Sequence, residues 1–518
     1  MLLFKIDSMM NERKNIVIIG AGVSGLASGI VALQNGFDVT LIEKNPLVGG
    51  LCMGWYRRGR YLDGCIHWLT GSKSGCDLYD MWTNVHAFRD ERDIIQLDSF
   101  GTFEYQGTKV TFWRDITRAR AEWISISKED TKMINKFFDI VEDFMAVPAP
   151  IKQPVAYLPL SVLLSFIGKI IKHPSYLYTM RMSCEGFAKK FKHPALRWAL
   201  THVQPGPGNL FSMIYSYSTI TDNNGGVPRG GSLKMVNNMK DYYLELGGKL
   251  LVNSPVEKIN VDKKKKVATS VTLENGKVIE GDYIIASLDP NFTLTKLLNN
   301  KYPKNSFDKR IYNYKKNPLP GCVLLQFEIE DLPEGNYPLS FEIEPLKVGK
   351  TIVDHLTLRS HAYDKETYVR DNKVICSMLI DQYDEDYYEW KKLLKDETYK
   401  DEKNRIASEC VKRIVKQLPS LEGKVTVLDV ATPWTFKRYT NTTRGGYMSF
   451  MFTTKNDMYS SDGRVMGINN LYLSGNFMAS PGGLPFALST GYHAVQRICR
   501  RENIKYALAT QRELKKEY

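Results

Sequence analysis

The run Gly20-Ala-Gly22-Val23-Ser24-Gly25 is a G-x-G-x-x-G, a spacing suited to holding a dinucleotide. Gly20 permits a tight turn, Gly22 lets the backbone approach a pyrophosphate, and Gly25 lets a helix lie close to a strand. Val23 and Ser24, at the start of that helix, offer free N–H groups and the positive end of its dipole to phosphate oxygens. Glu43, eighteen residues past Gly25, is spaced to accept hydrogen bonds from an adenosine ribose, and its charge disfavours a 2′-phosphate. The eight cysteines (52, 65, 76, 184, 322, 376, 410 and 499) make no C-x-x-C pair and have no histidine-rich cluster beside them. Their spacing predicts no metal site and no redox dithiol, only buried thiols in a reducing compartment.

These residues need elements to hold them, and the flanking sequence supplies those elements. Asn15–Ile19 is a β-branched run predicting a buried parallel strand. Residues 26–34 read as a helix with small residues toward the sheet, Asn35-Gly36 as a turn, and Asp38–Ile42 as a second strand ending at Glu43. A lone G-x-G-x-x-G is weak; strand, helix, strand and acid in register make it strong.

The wider chain sets the limits. It has 518 residues, 43% hydrophobic and 25% charged, which excludes collagen-like, disordered and disulfide-scaffold classes and predicts two to four domains. Seventy Lys and Arg against 57 Asp and Glu give a net charge of +13, compatible with nucleic acid, an anionic membrane or a solubilising surface. No nucleic-acid module is recognisable and the basic residues are scattered among acids, so nucleic acid is not an expected partner. Residues 1–14 are too charged, at Glu12 and Arg13, for a secretory signal, and Met9 or Met10 would serve as an alternative start. Residues 153–168 carry no charge and are flanked by Lys152, Lys169 and Lys172. They fall short of the roughly 20 apolar residues that cross a bilayer. Two readings follow: a buried cap over a substrate domain, or a patch that dips into lipid with its lysines at the headgroups. The expected location is cytoplasmic, with peripheral membrane contact near residues 152–172.

Further motifs carry a resemblance. Lys44-Asn-Pro-Leu-Val-Gly49-Gly50 puts a glycine pair just past the acid. Gly230-Gly231-Ser-Leu opens a helix that is followed by Gly247-Gly248-Lys-Leu-Leu-Val252 and Pro255-Val256; residues 282–287 read as a returning strand. Near the C-terminus, residues 470–475 form a strand ending in Gly475, followed by Asn476, Pro481-Gly-Gly483-Leu484-Pro485 and a helix to about residue 500. In these places, in this order, the chain resembles the two-dinucleotide-binding-domain flavoproteins. The resemblance implies FAD, with Lys44, Gly49 and Gly50 beside its pyrophosphate and Val256 over its adenine. It also implies Ser287 at the end of the returning strand, and Gly475, Asn476, Gly483, Leu484 and Pro485 on the flavin side.

Within the flavin amine oxidase-type superfamily the chain most resembles the phytoene desaturase group, which includes retinol saturases and carotenoid isomerases. Tyr61-Leu-Asp63-Gly64-Cys-Ile-His67-Trp68 resembles the saturase-type D-x-G-x-H segment, and residues 432–440 (TPWTFKRYT) with Gly445-Gly446-Tyr447 resemble another element of that group. Two positions depart: Leu51 and Cys52 stand where basic residues are common, and Asn476 stands where an acid usually bonds the ribityl chain. Asparagine still offers hydrogen-bonding groups.

The fold this implies is α/β: a discontinuous Rossmann-like FAD-binding domain (11–115, 225–300 and 460–518) and a mixed α+β substrate domain (116–224 and 301–459). Helices are predicted near 131–144, 196–203 and 384–417, strands near 322–329 and 374–380, and the lysine run 263–266 reads as a hairpin turn. The implied activity is FAD-dependent saturation, desaturation or isomerisation of carbon–carbon bonds in a long lipophilic substrate such as a retinoid or carotenoid. His67, Tyr447 and Tyr439 are the candidates to move a proton, and Arg438 to meet a polar end of substrate or flavin. No second Gly-rich nucleotide unit is present, so the electron partner is a visiting NAD(P)H, a quinone, oxygen or a protein. An amine or porphyrinogen-type oxidase is an alternative on the same fold. So is a non-enzymatic prenyl-lipid escort protein, against which the intact Gly20, Gly22, Gly25 and Glu43 argue.

Overall fold

β1 (Asn15–Ile19) lies at the centre of a six-stranded sheet, and its N-I-V-I-I sequence fits burial on both faces. The structure, a computed structural model, describes residues 13–145, 151–204, 206, 208–302 and 306–508; the expectations for residues 1–12, Met9 and Met10 among them, lie outside these. α1 (Val23–Gln34) starts directly after the glycine turn and returns the chain to β2 (Asp38–Ile42), which pairs with β1 in parallel. The sheet order is Lys249–Leu251, β2, β1, Tyr283–Ala286, Ile468–Leu473 and Arg464–Val465, with only the last strand antiparallel.

The period of two sorts β1 between two covers. Ile16 and Ile18 face a core built with α1 and the helices Gly231–Glu245 and Leu484–Arg501. Val17 and Ile19 face the small antiparallel sheet Val256–Asp262, Val267–Leu273 and Val278–Glu280. Lys263 to Lys266 form the exposed turn of that sheet's first hairpin.

A second sheet runs in the order Val425–Ala431, Gly321–Glu330, Lys373–Gln382, Thr351–Ser360, Leu339–Val348, Ser99–Tyr105 and Thr108–Trp113. The Ser99–Trp113 hairpin belongs here because Ser99–Tyr105 pairs with Leu339–Val348, so the segment 11–115 contributes to both sheets. One face of the Gly321–Glu330 and Lys373–Gln382 pair, with Leu325, Phe327, Met378 and Ile380, packs on the helices Asp384–Lys395 and Tyr399–Gln417 through Trp390, Ile406 and Ile414. The other face carries the pairs Cys322 with Asp381, Leu324 with Leu379 and Gln326 with Ser377, and Arg359 pairs with Ser377 from the next strand. The helices Thr131–Met145, Pro194–His202 and Leu210–Thr221 form a separate layer around Trp123, Phe137, Phe138 and Tyr217.

The apolar stretch near 153–168 becomes the helix Leu160–Lys172, and none of its residues is buried. Leu160, Leu164, Ile167 and Ile171 are 68%, 58%, 44% and 73% exposed, and their spacing places them on one helical face. Phe166 and Ile170, on the other side, are partly buried against the core of the helical layer, so the helix caps that layer on one side and shows a second apolar side outward. Lys152 is not free beside it, because its Nζ pairs with Asp77 at 3.0 Å and Asp80 at 3.1 Å. No helix among the described residues is long and apolar enough to cross a membrane.

Candidate active site

The glycine turn is shaped by contact. A Cβ on Gly25 would meet the Gly20 carbonyl oxygen at 1.9 Å, so only glycine lets α1 start this close to β1. At Gly22, bridged to Gly49, a Cβ would find nothing nearer than 3.7 Å, which leaves bare backbone for a ligand to approach. α1 has no side-chain cap and no acid in its first turn, and Ser24 Oγ is buried there with no hydrogen-bond partner among the described residues. Unused donors and an orphaned hydroxyl at a helix N-terminus fit a pyrophosphate.

Glu43 is buried at the end of β2. Its Oε2 accepts from Ala21 N at 2.9 Å and its Oε1 from Asn45 N and Nδ2 at 2.9 and 2.8 Å. The remaining lone pairs suit two ribose hydroxyls. Next to it, Ser254 N donates to the Glu43 carbonyl at 2.9 Å, and a cleft of about 350 Å³ opens among Asn253, Ser254, Pro255, Leu273, Glu274 and Asn275, just before Val256. That is room for an adenine. Lys44 Nζ donates to the Arg438 carbonyl at 3.0 Å, and burial lowers its pKa.

The C-terminal ends of three strands converge at the other end of the crevice, where open parallel sheets bind ligands. Ser287 N donates to the Ile19 carbonyl at 2.9 Å, and Ser287 Oγ lies 2.8 Å from Ser474 Oγ. Gly475, at φ 128°, donates its N–H to Thr490 Oγ1 at 2.9 Å. Asn476 Oδ1 accepts from Gly483 N, while its Nδ2 donates to the Tyr447 carbonyl at 3.0 Å. The amide thus ties the closing loop to the second sheet's surroundings. A carboxylate at 476 would face that carbonyl without a donor, which is a physical reason for asparagine at a position where an acid is usual. The helix beginning at Leu484 and Pro485 has no side-chain cap over its N-terminus.

Asp63 positions the next segment. It accepts from Cys65 N at 2.9 Å, Ile66 N at 3.3 Å, Ser232 N at 2.6 Å, Ser232 Oγ at 2.7 Å, and the hydroxyls of Tyr61 and Tyr368 at 3.2 Å each. Its carbonyl accepts from Gln326 Nε2 at 2.6 Å, so the free face of the second sheet looks onto this loop.

His67 keeps part of its surface accessible, yet burial pushes its pKa well below the usual value, and the nearby Arg359 and His361 push it further. It is therefore a neutral imidazole at neutral pH. His361 lies 3.0 Å from both Tyr363 Oη and Ser377 Oγ, and burial lowers its pKa to about 4. The Arg359 side chain makes no hydrogen bond or ion pair among the described residues, and burial lowers its pKa to about 10. Along the same face, Asp381 Oδ1 is buried with no hydrogen-bond partner among the described residues, and burial, opposed by His355, pushes its pKa up to about 7. Tyr447 packs against Cys322 and Leu324, and burial, then Asp381, Cys322 and Tyr383, raise its pKa well above the usual value, so it stays a phenol.

The proton-transfer candidates are therefore divided. His67 and Tyr447 both face the protein interior, but neither is tuned to exchange a proton near neutrality. Tyr439 is 41% exposed beside the adenosine end: its carbonyl accepts from Asn45 Nδ2 at 3.0 Å, and Arg438 lies over its ring at 4.7 Å. It is not brought together with the other two. No motif in the sequence marks Asp381 or Arg359. The signal present at Asp381 is a period of two: Ser377 and Asp381 are in-phase polar positions in a strand that is apolar at 374–376 and 378–380.

Comparison with known proteins identifies the family and the fold. The family model of flavin containing amine oxidoreductases matches residues 209–499, and that of an NAD(P)-binding Rossmann-like domain matches residues 18–85. Phytoene desaturase from Phycomyces blakesleeanus is 26% identical over 309 residues, 56% of this chain and 50% of that protein. Lycopene-forming phytoene desaturase from a Paracoccus species is 25% identical over 329 residues, 62% of this chain and 63% of that protein. The chain thus spans about half to two thirds of these relatives. Human all-trans-retinol 13,14-reductase is 24% identical over 477 residues, 84% of this chain and 77% of that protein. Among solved structures, a Methanosarcina mazei oxidoreductase aligns with a TM-score of 0.58 at 15% identity over 94% of this chain and 100% of that one. Putrescine oxidase bound to putrescine aligns with a TM-score of 0.56 at 14% identity over 95% and 100%. These two likenesses concern the fold.

Proposed function

Because the chain belongs to the flavin containing amine oxidoreductase family, we propose that it is an FAD-dependent oxidoreductase acting on carbon–carbon bonds of a long lipophilic molecule of the retinoid or carotenoid class. Gly20 to Gly25, Ser24, Glu43, Gly49 and Gly50 would hold the FAD nucleotide, and Ser287, Gly475 and the loop up to Pro485 its flavin half. Bound FAD supplies the hydride chemistry. The chain supplies position, dryness and a proton.

The observation that carries the reading is Asp381. Hydrogenating a C=C bond takes a hydride and a proton, and the reverse reaction gives up both; a proton carrier works best with a pKa near the working pH. Asp381, with a partnerless Oδ1 and a pKa near 7, meets that requirement where His67 and Tyr447 do not. His67 and Tyr447 then act as neutral hydrogen-bonding walls, and Leu324 and Leu379 provide apolar surface for the substrate. The names of the relatives, phytoene desaturases and a retinol reductase, support a polyene over an amine.

A greasy substrate also needs a source. The exposed stripe Leu160, Leu164, Ile167 and Ile171, with Lys169 and Lys172 in the last turn of the same helix, supports docking on an anionic membrane surface. Turnover of a polyene by the flavin-loaded chain, and its loss in Asp381→Asn with FAD absorbance intact, tests the reading. Unchanged turnover in that variant removes Asp381 from it.

A further inference from the structure

The helix Pro194–His202 and the strand Thr351–Ser360 come from different parts of the chain and meet at three side chains, His202, Asp354 and His355. His202 Nε2 lies 3.5 Å from Asp354 Oδ1, His355 Nδ1 lies 3.2 Å from the same oxygen, and all three donor atoms fall within 4.8 Å of one another. Nitrogen and oxygen ligands about 2.0–2.1 Å from a tetrahedral ion stand roughly 3.3–3.4 Å apart, close to these separations.

The surroundings are arranged for the same purpose. His202 Nδ1 lies 2.8 Å from the Trp198 carbonyl, a partner that can only accept, so the proton sits on Nδ1 and Nε2 keeps its lone pair. The Trp198 indole stacks on the His202 ring at 4.5 Å and fixes its plane. The Asp354 side chain is largely exposed, which leaves a coordination position open to water.

We propose that His202 Nε2, His355 Nδ1 and Asp354 Oδ1 bind a divalent first-row cation of the zinc class, joining the helical layer to the second sheet. Two imidazoles and one carboxylate suit zinc or its first-row neighbours; calcium and magnesium prefer all-oxygen sets, and Cu(I) prefers thiolates. Cysteine and histidine spacing in the sequence predicts no metal site. This set was hidden from it because its ligands lie about 150 residues apart in the chain.

The test uses the full chain, stripped with a chelator and titrated with ZnCl2. The expected result is one equivalent bound with a dissociation constant below micromolar and retained through gel filtration. A Tm rise of about 2–3 °C is expected at a hundred-fold excess over that constant. Co2+ in its place is expected to give the intense visible bands of a tetrahedral site. His202→Gln and His355→Gln should each lose the equivalent and the Tm rise while keeping the wild-type circular dichroism spectrum. His173→Gln, at a histidine paired instead with Asp143, should keep both. Absence of stoichiometric uptake, or uptake that survives in both His202→Gln and His355→Gln, overturns the proposal and leaves a hydrogen-bonded His–Asp–His triad. Neither result depends on the flavin or its substrate.

Discussion

Asp381 sits opposite Cys322 with an oxygen that no donor among the described residues reaches, and burial, against an opposing pull from His355, lifts its pKa to about 7. If it carries the proton, Asp381→Asn lowers kcat by about 10²–10⁴-fold. The variant also loses the ionisation near pH 7 from the rate profile. The sign follows the direction of reaction: saturation needs the protonated acid and slows above about pH 7, whereas desaturation needs the carboxylate and slows below it. Stability gives an independent check. The folded pKa lies above the unfolded one, so the chain binds a proton at this site on folding and loses stability as pH rises toward about 7. Asp381→Asn is therefore expected to raise the thermal midpoint more at pH 8 than at pH 5. Equal shifts at both pH values contradict the assignment.

At the scale of elements, the glycine turn and the exposed helix make separate claims. Gly25→Val drives a side chain into the Gly20 carbonyl, so the purified variant is expected to be colourless while the wild type is yellow. Glu43→Gln replaces charged hydrogen bonds with neutral ones and should weaken FAD binding about five- to ten-fold, measured by flavin fluorescence. Leu164→Glu with Ile171→Glu should abolish sedimentation with phosphatidylserine vesicles and leave the thermal midpoint nearly unchanged, because both side chains are exposed, away from the face that packs through Phe166 and Ile170. The first of these elements was legible in the sequence because its logic is local: β1, turn, α1, β2 and Glu43 follow one another within 30 residues. The helix near 160–172 was legible as apolar but not as exposed, since period alone does not say which surface a greasy face meets. Asn476 read as a departure from the usual acid; only its hydrogen bonds to Gly483 and Tyr447 supply a reason.

At the scale of the molecule, the nucleotide-binding pieces, though separated along the chain, all enter one sheet, and that much could be read from motifs. The second sheet could not. Its free face is assembled from strands 50 residues or more apart, through the pairs Cys322 with Asp381 and Gln326 with Ser377, and from a loop held by Asp63. No spacing rule brings Asp381, Arg359 and His67 to one interior. The +13 charge likewise has a narrower meaning, since Lys152 is spent on Asp77 and Asp80, and Lys169 and Lys172 remain beside the exposed stripe. The central claim is that the flavin exchanges electrons with carbon–carbon bonds. Its most direct test is anaerobic: photoreduce the flavin of the purified protein, add retinoids and carotenoids of graded unsaturation, and follow the flavin absorbance. Reoxidation by a polyene, or reduction of the oxidised flavin by its more saturated counterpart, is the expected result. A flavin that no polyene changes in either direction, but that an amine such as putrescine reduces, would contradict it.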